Sequence, residues 1–298
     1  MNLLTCLDAQ AARLTEAGVC FGHGTTNAFD EAAWLLLWSL GLPLDRLDEH
    51  ELQELTVAEL SKIETLVSQR ISSRQPAAYL TGEAWLQGVP FHVDARAIVP
   101  RSLIAELLAD TRIDAWLSSD TQRVLDLCTG NGSLAVLAAM AWPEVSVDAV
   151  DLSADALEVA KINVARHGLQ ARIRLLQGDG LAPLAGQKYD LILCNPPYVN
   201  SAAMAKLPAE YLAEPTVALA GGPDGMDFVR RLLAEASNYL NEHGVLVLEI
   251  GNEHDFFEAA FPQLEVAWME TSAGETQVLL VTQEALNSLQ SVNSVPSA

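Results

Sequence analysis

Over the first eighty residues, apolar side chains recur every three or four positions, a spacing that predicts helices. The first predicted helix contains Leu3, Leu4, Leu7 and Leu14 and ends before the break at 18–24. A second begins at a cap, either Asn27 or Asp30, and runs to Trp38, while a third spans 57–71. We therefore expect a small helical domain over residues 1–80.

Beyond residue 80 the pattern changes to short apolar segments separated by glycine and proline. Gly82, Gly88 and Pro90 interrupt residues 81–100, which predicts a hairpin linker. From residue 101 onward, continuous apolar runs alternate with amphipathic helices at 154–167 and 228–242, as in a doubly wound parallel sheet. The predicted buried strands are Val124–Leu127, Val145–Val150, Ile173–Leu176, Leu191–Cys194 and Val245–Ile250.

The last two predicted strands, 264–270 and 277–282, are joined through a turn at 272–275, which is short enough for an antiparallel hairpin. A mostly parallel sheet that ends in such a hairpin resembles the class I methyltransferase fold, an α/β, Rossmann-like arrangement of seven strands. We assign residues 101–284 to this domain. Residues 285–298 are rich in Ser, Asn and Gln, which predicts a disordered tail.

A glycine turn follows the first buried strand, with the sequence Asp-Leu-Cys-Thr-Gly-Asn-Gly at 126–132. Glycines there let the backbone approach a ligand closely. Asp151 ends the second strand, where a carboxylate can accept hydrogen bonds from ribose hydroxyls, and Asp179 follows the third, within reach of an adenine amino group. Acids at three strand ends, with no basic residue in the turn, suit a cationic adenosine ligand without phosphates. The predicted cofactor-binding residues are Asp126, Cys128, Thr129, Gly130, Asn131, Gly132, Asp151, Leu152, Asp179, Gly180 and Asn195.

An Asn-Pro-Pro-Tyr motif leaves the fourth strand at 195–198. Two prolines fix φ and provide no N–H donors, so the motif is a stiff projection with two acceptors, the Asn195 side-chain oxygen and the Pro196 carbonyl. Such a pair can hold a planar –NH₂ group and direct its face toward a methyl donor, while Tyr198 stacks on the acceptor. The predicted catalytic residues are Asn195, Pro196, Pro197 and Tyr198.

These motifs, in this order, resemble the glutamine N(5)-methyltransferases of the HemK family over residues 75–282. The resemblance implies S-adenosyl-L-methionine as the cofactor and a glutamine side-chain amide as the acceptor. It also implies that the Glu214–Gly225 segment covers the site, and that the substrate-binding residues are Asn195, Pro196, Tyr198 and Arg101. Cys128 departs from the family, most members of which have glycine at that position.

The formal net charge is -22, from 17 basic and 39 acidic residues among 298. An acidic surface repels phosphate backbones and attracts basic partners, which disfavours the alternative of a DNA or RNA amino-methyltransferase. Half of the residues are hydrophobic, enough for a large buried core. Four widely separated cysteines and the lack of a signal-like start indicate a cytoplasmic protein. We expect no membrane span, and the histidine spacing predicts no metal site.

Two branches of the family remain as alternatives, one for peptide-chain release factors and one for a basic protein of the large ribosomal subunit. The release-factor branch usually has Pro-Arg-Pro-Glu-Thr-Glu, whereas this chain departs from that sequence after Arg101. The segments 21–32 and 126–130 resemble the ribosomal-protein branch, which we favour. We expect residues 21–31 to help recognise the substrate protein. An inactive cofactor-binding factor is a further alternative, against which the intact motif at 195–198 argues, and the sequence leaves the oligomeric state open.

Overall fold

Helices form the N-terminal part of the chain. The computed structural model describes residues 1–293, and its first five helices are α1 (Leu3–Glu16), α2 (Ala28–Leu40), α3 (Leu47–His50), α4 (Val57–Ser73) and α5 (Ala77–Thr81). Asn27, one of the two predicted caps, accepts from the Asp30 amide at the start of α2, and Thr56 forms a reciprocal capping box with Glu59 at the start of α4. Their apolar faces share one core, so the helices stabilise each other.

A short antiparallel hairpin follows α5 within the predicted linker at 81–100. Its strands are β1 (Glu83–Leu86) and β2 (Val89–His92). The buried side chain of Asn163 exchanges two hydrogen bonds with the His92 backbone, at 2.7 and 2.9 Å. This contact fixes the hairpin to the α/β part of the chain.

The remaining strands form one seven-stranded sheet. They are β3 (Arg123–Leu127), β4 (Ser146–Asp151), β5 (Ile173–Gln177), β6 (Tyr189–Cys194), β7 (Leu240–Glu249), β8 (Ala267–Thr271) and β9 (Gly274–Thr282). Their order is β5-β4-β3-β6-β7-β9-β8, with β9 antiparallel to both of its neighbours and all other pairs parallel. The predicted mostly parallel sheet with a terminal hairpin is confirmed.

Helices cover both faces of this sheet and create two further apolar cores. They are α6 (Ile104–Ala109), α7 (Ser133–Ala141), α8 (Ala154–Arg166), α9 (Ser201–Met204), α10 (Ala209–Leu212), α11 (Asp227–Glu235), α12 (His254–Ala260) and α13 (Gln283–Asn293), with 3₁₀ turns at Asp114–Trp116, Ala182–Leu184, Thr216–Ala218 and Ala236–Tyr239. In the described part of the chain, no helix combines the length and the apolar character needed to cross a membrane.

Two expectations about the C-terminal part were wrong. The helix predicted over 228–242 ends at Glu235, and β7 already begins at Leu240, which pairs with Tyr189. The tail predicted to be disordered from residue 285 is helical in α13 up to Asn293. Leu286 of α13 is fully buried in the second sheet core, so tertiary packing stabilises a segment of polar composition. The rest of the predicted tail, 294–298, lies outside the described residues.

Candidate active site

The carboxyl ends of the parallel strands open into a cavity of about 260 Å³, which we call the strand-end cavity. Open α/β sheets bind ligands at this edge. Cys128, Gly130, Asp151 and Asn195 line it after β3, β4 and β6. Further lining residues come from four other segments and include Ala97, Ile98, Asp179, Pro215, Val217, Phe228 and Arg231.

The glycine turn is fastened to the end of β4. The Gly130 amide donates to one oxygen of Asp151 at 2.8 Å, and the Ser153 amide donates to the other at 2.8 Å. Burial raises the pKa of Asp151 in spite of these bonds. The carboxylate is therefore oriented at the cavity wall with lone pairs left over, as binding of ribose hydroxyls requires.

Four of the predicted cofactor residues lie behind the cavity wall. Asp126, Thr129, Asn131 and Gly132 are absent from its lining and instead support the turn. One oxygen of Asp126 accepts from the Thr129 hydroxyl and from the Ala135 amide, whereas the other is buried without a partner among the described residues. Burial raises the pKa of Asp126 to about 7. The Asn131 amide donates to the Ile98 carbonyl at 2.9 Å, which joins the turn to the opposite wall.

Leu152, Asp179 and Gly180 line the cavity, but Asp179 has a partner that the sequence did not reveal. Arg231 of α11 donates to both of its oxygens, at 2.9 and 3.1 Å, and this pairing lowers the pKa of Asp179. The pair lies at the exposed rim. An adenine amino group would therefore share the Asp179 carboxylate with Arg231. The charge of Arg231 is neutralised by Asp179 and is not available to an anion.

Asn195 directly follows β6 and lines the cavity. Among residues 1–293 its side-chain amide has no hydrogen-bond partner. Pro197 also lines the cavity, whereas Pro196 is buried behind it. An amide with unused donors and acceptors at a cavity wall can bind a second amide.

Tyr198 is outside the cavity lining and contacts a residue that the sequence analysis missed. Its hydroxyl donates to Glu249 at 3.0 Å, and Glu249 also accepts from the Ser102 hydroxyl at 2.6 Å. Burial raises the pKa of both Tyr198 and Glu249. An acid that ends the apolar run of β7 is the sequence signal that could have revealed Glu249. These bonds anchor the end of the Asn195–Tyr198 motif.

The segment 214–225, here the 214–225 loop, packs directly on that motif. The Val199 amide donates to Leu219 at 2.8 Å, and the Gly221 amide donates back to Val199 at 2.9 Å. A Cβ atom at Gly221 would lie 2.7 Å from the Cα of Tyr198, so only glycine allows this approach. The loop therefore forms one wall of the strand-end cavity, which agrees with the expected cover.

Arg101, predicted to bind substrate, instead forms an ion pair with Glu214 at the start of this loop. Its guanidinium donates to both carboxylate oxygens, at 2.7 and 2.8 Å, and lies over the Tyr211 ring. Burial alone would raise the pKa of Glu214, but His23 and Arg101 outweigh it and lower the pKa to about 2. Arg101 thus positions the loop, and it is not among the residues that line the cavity.

A second buried ionic cluster joins the helical region to the α/β part. The side chain of Arg70 donates to Glu31 at 2.8 Å and to the Cys20 carbonyl at 2.9 Å, and its guanidinium lies 3.4 Å from Glu210 of α10. The side chains of Arg70, Glu31 and Glu210 are at most 3% exposed. A buried charge needs its partners, so these contacts hold the two regions together.

Two comparisons concern the fold and the domains of this chain. Residues 105–222 match the family model "Methyltransferase small domain", and residues 6–82 match "PrmC N-terminal domain". The crystal structure of the hMettl16 catalytic domain in complex with MAT2A 3'UTR hairpin 1 has a TM-score of 0.51, 15% identity, and coverage of 79% of this chain and 83% of that one. The sheet, the strand-end cavity and these matches define a class I S-adenosylmethionine-dependent methyltransferase.

Comparison with curated relatives shows to which family within this class the chain belongs. The "Ribosomal protein uL3 glutamine methyltransferase" of Bordetella pertussis is 55% identical over 278 residues, with coverage of 93% of each chain. The Neisseria meningitidis protein of the same name is 48% identical, with coverage of 92% of this chain and 91% of that one. The chain belongs to the ribosomal protein uL3 glutamine methyltransferase family.

The residues present fit the cofactor of this class. An oriented Asp151 carboxylate, the backbone turn at Gly130 and the apolar side chains of Leu152 and Phe228 suit an adenosine group. Arginines line the cavity, but Arg96 is held by Asp94 and Arg231 by Asp179. Among the described residues, no cluster of histidine, cysteine and acidic side chains could hold a metal ion.

Proposed function

We propose that this enzyme methylates the side-chain amide nitrogen of a glutamine in ribosomal protein uL3, and that Asn195 holds that amide. The observation that carries the proposal is the unpartnered amide of Asn195 at the wall of the strand-end cavity. The identity of the substrate is inferred from the names of the relatives, which are uL3 glutamine methyltransferases. S-adenosylmethionine, when bound in the cavity, supplies an electrophilic methyl group on a sulfonium.

Asn195 binds the acceptor from the cavity wall, and the carbonyl of Pro196, a residue outside the lining, is the second acceptor that the motif offers. The –NH₂ group of a glutamine carries two donors at a fixed angle, and the Asn195 oxygen and the Pro196 carbonyl are the two acceptors. Buried Pro196 and the contact of Tyr198 with Glu249 keep the motif rigid. Such orientation matters because the amide nitrogen is a poor nucleophile, and its face must meet the methyl group.

The proton leaves after methyl transfer, to water. The three acids that line the cavity already have partners: Asp151 the Gly130 and Ser153 amides, Asp179 the Arg231 guanidinium, and Asp227 the Arg230 guanidinium. Their contacts make them positioning groups. The protein therefore contributes orientation and fixed dipoles rather than a strong base.

The substrate is a basic protein, and its recognition belongs to the helical region, including residues 21–31. The net charge of -22 favours such a partner and opposes nucleic acid. We propose further that the enzyme acts in the cytoplasm and that residues 1–80, 81–100 and 101–284 are its recognition domain, linker and catalytic domain.

The test uses labelled cofactor with purified uL3, followed by mass mapping of the labelled residue. Replacing Asn195 by Ala should lower kcat about 10²- to 10³-fold, because an oriented polar contact is lost in the transition state. Cofactor affinity, measured by calorimetry, should change less than tenfold. Asn252→Ala is the matched control, since Asn252 is an exposed asparagine outside the cavity lining.

Two outcomes contradict the proposal. Label in a release factor but not in uL3 would show that the substrate is a release factor. Full activity of Asn195→Ala would show that this side chain does not hold the reacting amide.

A further inference from the structure

A second cavity, of about 330 Å³, lies in the helical region, and we call it the aromatic cavity. It is separate from the strand-end cavity and shares none of its lining residues. Helix α2, the segment leading into α3 and strand β1 form its walls. The lining residues are Gly24, Thr25, Phe29, Asp30, Ala33, Trp34, Leu44, Leu47 and Trp85.

Three of the nine lining residues are aromatic, and two of these three side chains are exposed to solvent. Phe29 is 41% exposed and Trp85 is 45% exposed, whereas Trp34 is buried beneath them. The Trp85 indole N–H donates to Glu83 at 3.1 Å, which limits rotation of the ring. Exposed aromatic side chains held around a concave surface indicate a binding site rather than core packing.

The charges at this cavity are mainly negative. Asp30 is the charged residue of the lining, and it is exposed. The neighbouring segment adds exposed Asp45, Asp48 and Glu49, while its one arginine, Arg46, is paired with Glu49 and Asp45. An aromatic surface next to carboxylates is complementary to a cation with an apolar stem.

We propose that the aromatic cavity binds a lysine or arginine side chain of the protein substrate, as a docking site apart from the reacting glutamine. The cationic group lies over the faces of Phe29 and Trp85 and near the Asp30 carboxylate, and its methylene stem contacts Leu44 and Leu47. This inference rests on the proposed function, because a basic protein substrate supplies the cation.

The position of the cavity suits such a docking site. Gly24 and Thr25 of its lining directly follow His23, which lies 3.4 Å from Glu214. The next residue, Pro215, lines the strand-end cavity. The two cavities are thus connected through the buried contact between His23 and Glu214.

The first test measures KM and kcat of wild-type, Trp85→Ala and Asp30→Asn enzymes with full-length uL3. We expect KM to rise about three- to thirtyfold in each variant, because a cation–π or charge contact is lost, while kcat stays within twofold. Asp30→Lys should raise KM further. Trp85→Phe keeps a ring face and should retain a KM near that of wild type.

Trp38→Ala is the matched control for Trp85→Ala, since Trp38 is a 39% exposed tryptophan of helix α2 that does not line this cavity. A short neutral peptide with only the mapped glutamine should show the same KM with wild-type and Trp85→Ala enzymes. Thermal unfolding checks that each variant is folded. If Trp85→Ala does not fold, Asp30→Asn still tests the inference.

Unchanged KM for uL3 in both Trp85→Ala and Asp30→Asn would overturn this inference alone, as would an equal rise in Trp38→Ala. Absence of methyl transfer to uL3 by the wild-type enzyme would instead overturn the proposed function, and the inference with it. The two failures are therefore distinguishable.

Discussion

At the scale of single residues, Cys128 has an unusual backbone conformation. Its φ is 62°, in the left-handed region that glycine adopts without cost, and Gly130 two positions later has a φ of 55°. A residue with a Cβ pays about 1–2 kcal/mol for this conformation. The departure from the family noted in the sequence thus has a conformational consequence in the turn that lines the strand-end cavity.

Cys128→Gly should raise the free energy of unfolding by about 1 kcal/mol, because it relieves this backbone strain. Gly130→Ala is the reciprocal control: no atom lies within 4 Å of its added Cβ, so its expected loss of about 1 kcal/mol is conformational alone. Urea denaturation measures both. A less stable Cys128→Gly variant would mean that packing of the thiol outweighs the strain.

Asp126 should make stability depend on pH. Because burial raises its pKa to about 7, the folded protein keeps a proton that the unfolded chain loses near pH 4. Its stabilising contribution is complete below that pH and is lost as the pH rises through 7. Between pH 4 and pH 8, the free energy of unfolding of the wild-type protein should fall by up to about 4 kcal/mol more than that of Asp126→Asn.

Denaturation curves at several pH values measure this difference, and Asp120→Asn at an exposed carboxylate is the control. Parallel pH profiles for wild type and Asp126→Asn would contradict the assignment.

The sequence predicted the site residues that follow strands directly, and it missed those that arrive from elsewhere. Asp151 and Asn195 could be placed because parallel strands end at one edge of a sheet. Arg231 and Glu249 pair with Asp179 and Tyr198 from distant positions, and no local pattern encodes such pairings. Arg101 was predicted from resemblance, and only its contact with Glu214 shows its positioning role.

At the scale of secondary-structure elements, α13 shows how packing overrides composition. Leu286 is fully buried in the core beneath the sheet, although the surrounding sequence is polar. Leu286→Ala should lower the free energy of unfolding by about 2–5 kcal/mol, because it leaves a cavity. Asn287→Ala, at the exposed neighbouring position, should change it by less than about 0.5 kcal/mol. Equal values for the two variants would mean that α13 is not docked.

The start of β7 also escaped prediction, for a related reason. The stretch 236–242 has helical apolar spacing, yet Leu240 pairs with Tyr189 across the sheet. Long-range pairing decided the structure there, whereas strands β3, β4 and β6 are rich in apolar residues and are recognisable locally.

At the scale of the whole molecule, the net charge of -22 should govern partner choice. We expect KM for uL3 to rise with salt, because screening weakens attraction between an acidic enzyme and a basic protein. Duplex DNA should show no measurable binding in 150 mM salt by fluorescence anisotropy, at concentrations that saturate methyl transfer. DNA binding that weakens steeply with salt would point to a nucleic-acid substrate instead.

The buried cluster around Arg70 bears on how such enzymes diversify. Because Glu210 of the α/β part helps to neutralise an arginine of the helical part, neither part is a freely exchangeable module. A chimera that joins the helices of one relative to the sheet of another would have to transplant the α10 segment together with the helices. Substitutions at the outer surface leave this cluster intact, whereas exchange of either part alone would leave a buried charge without its partner.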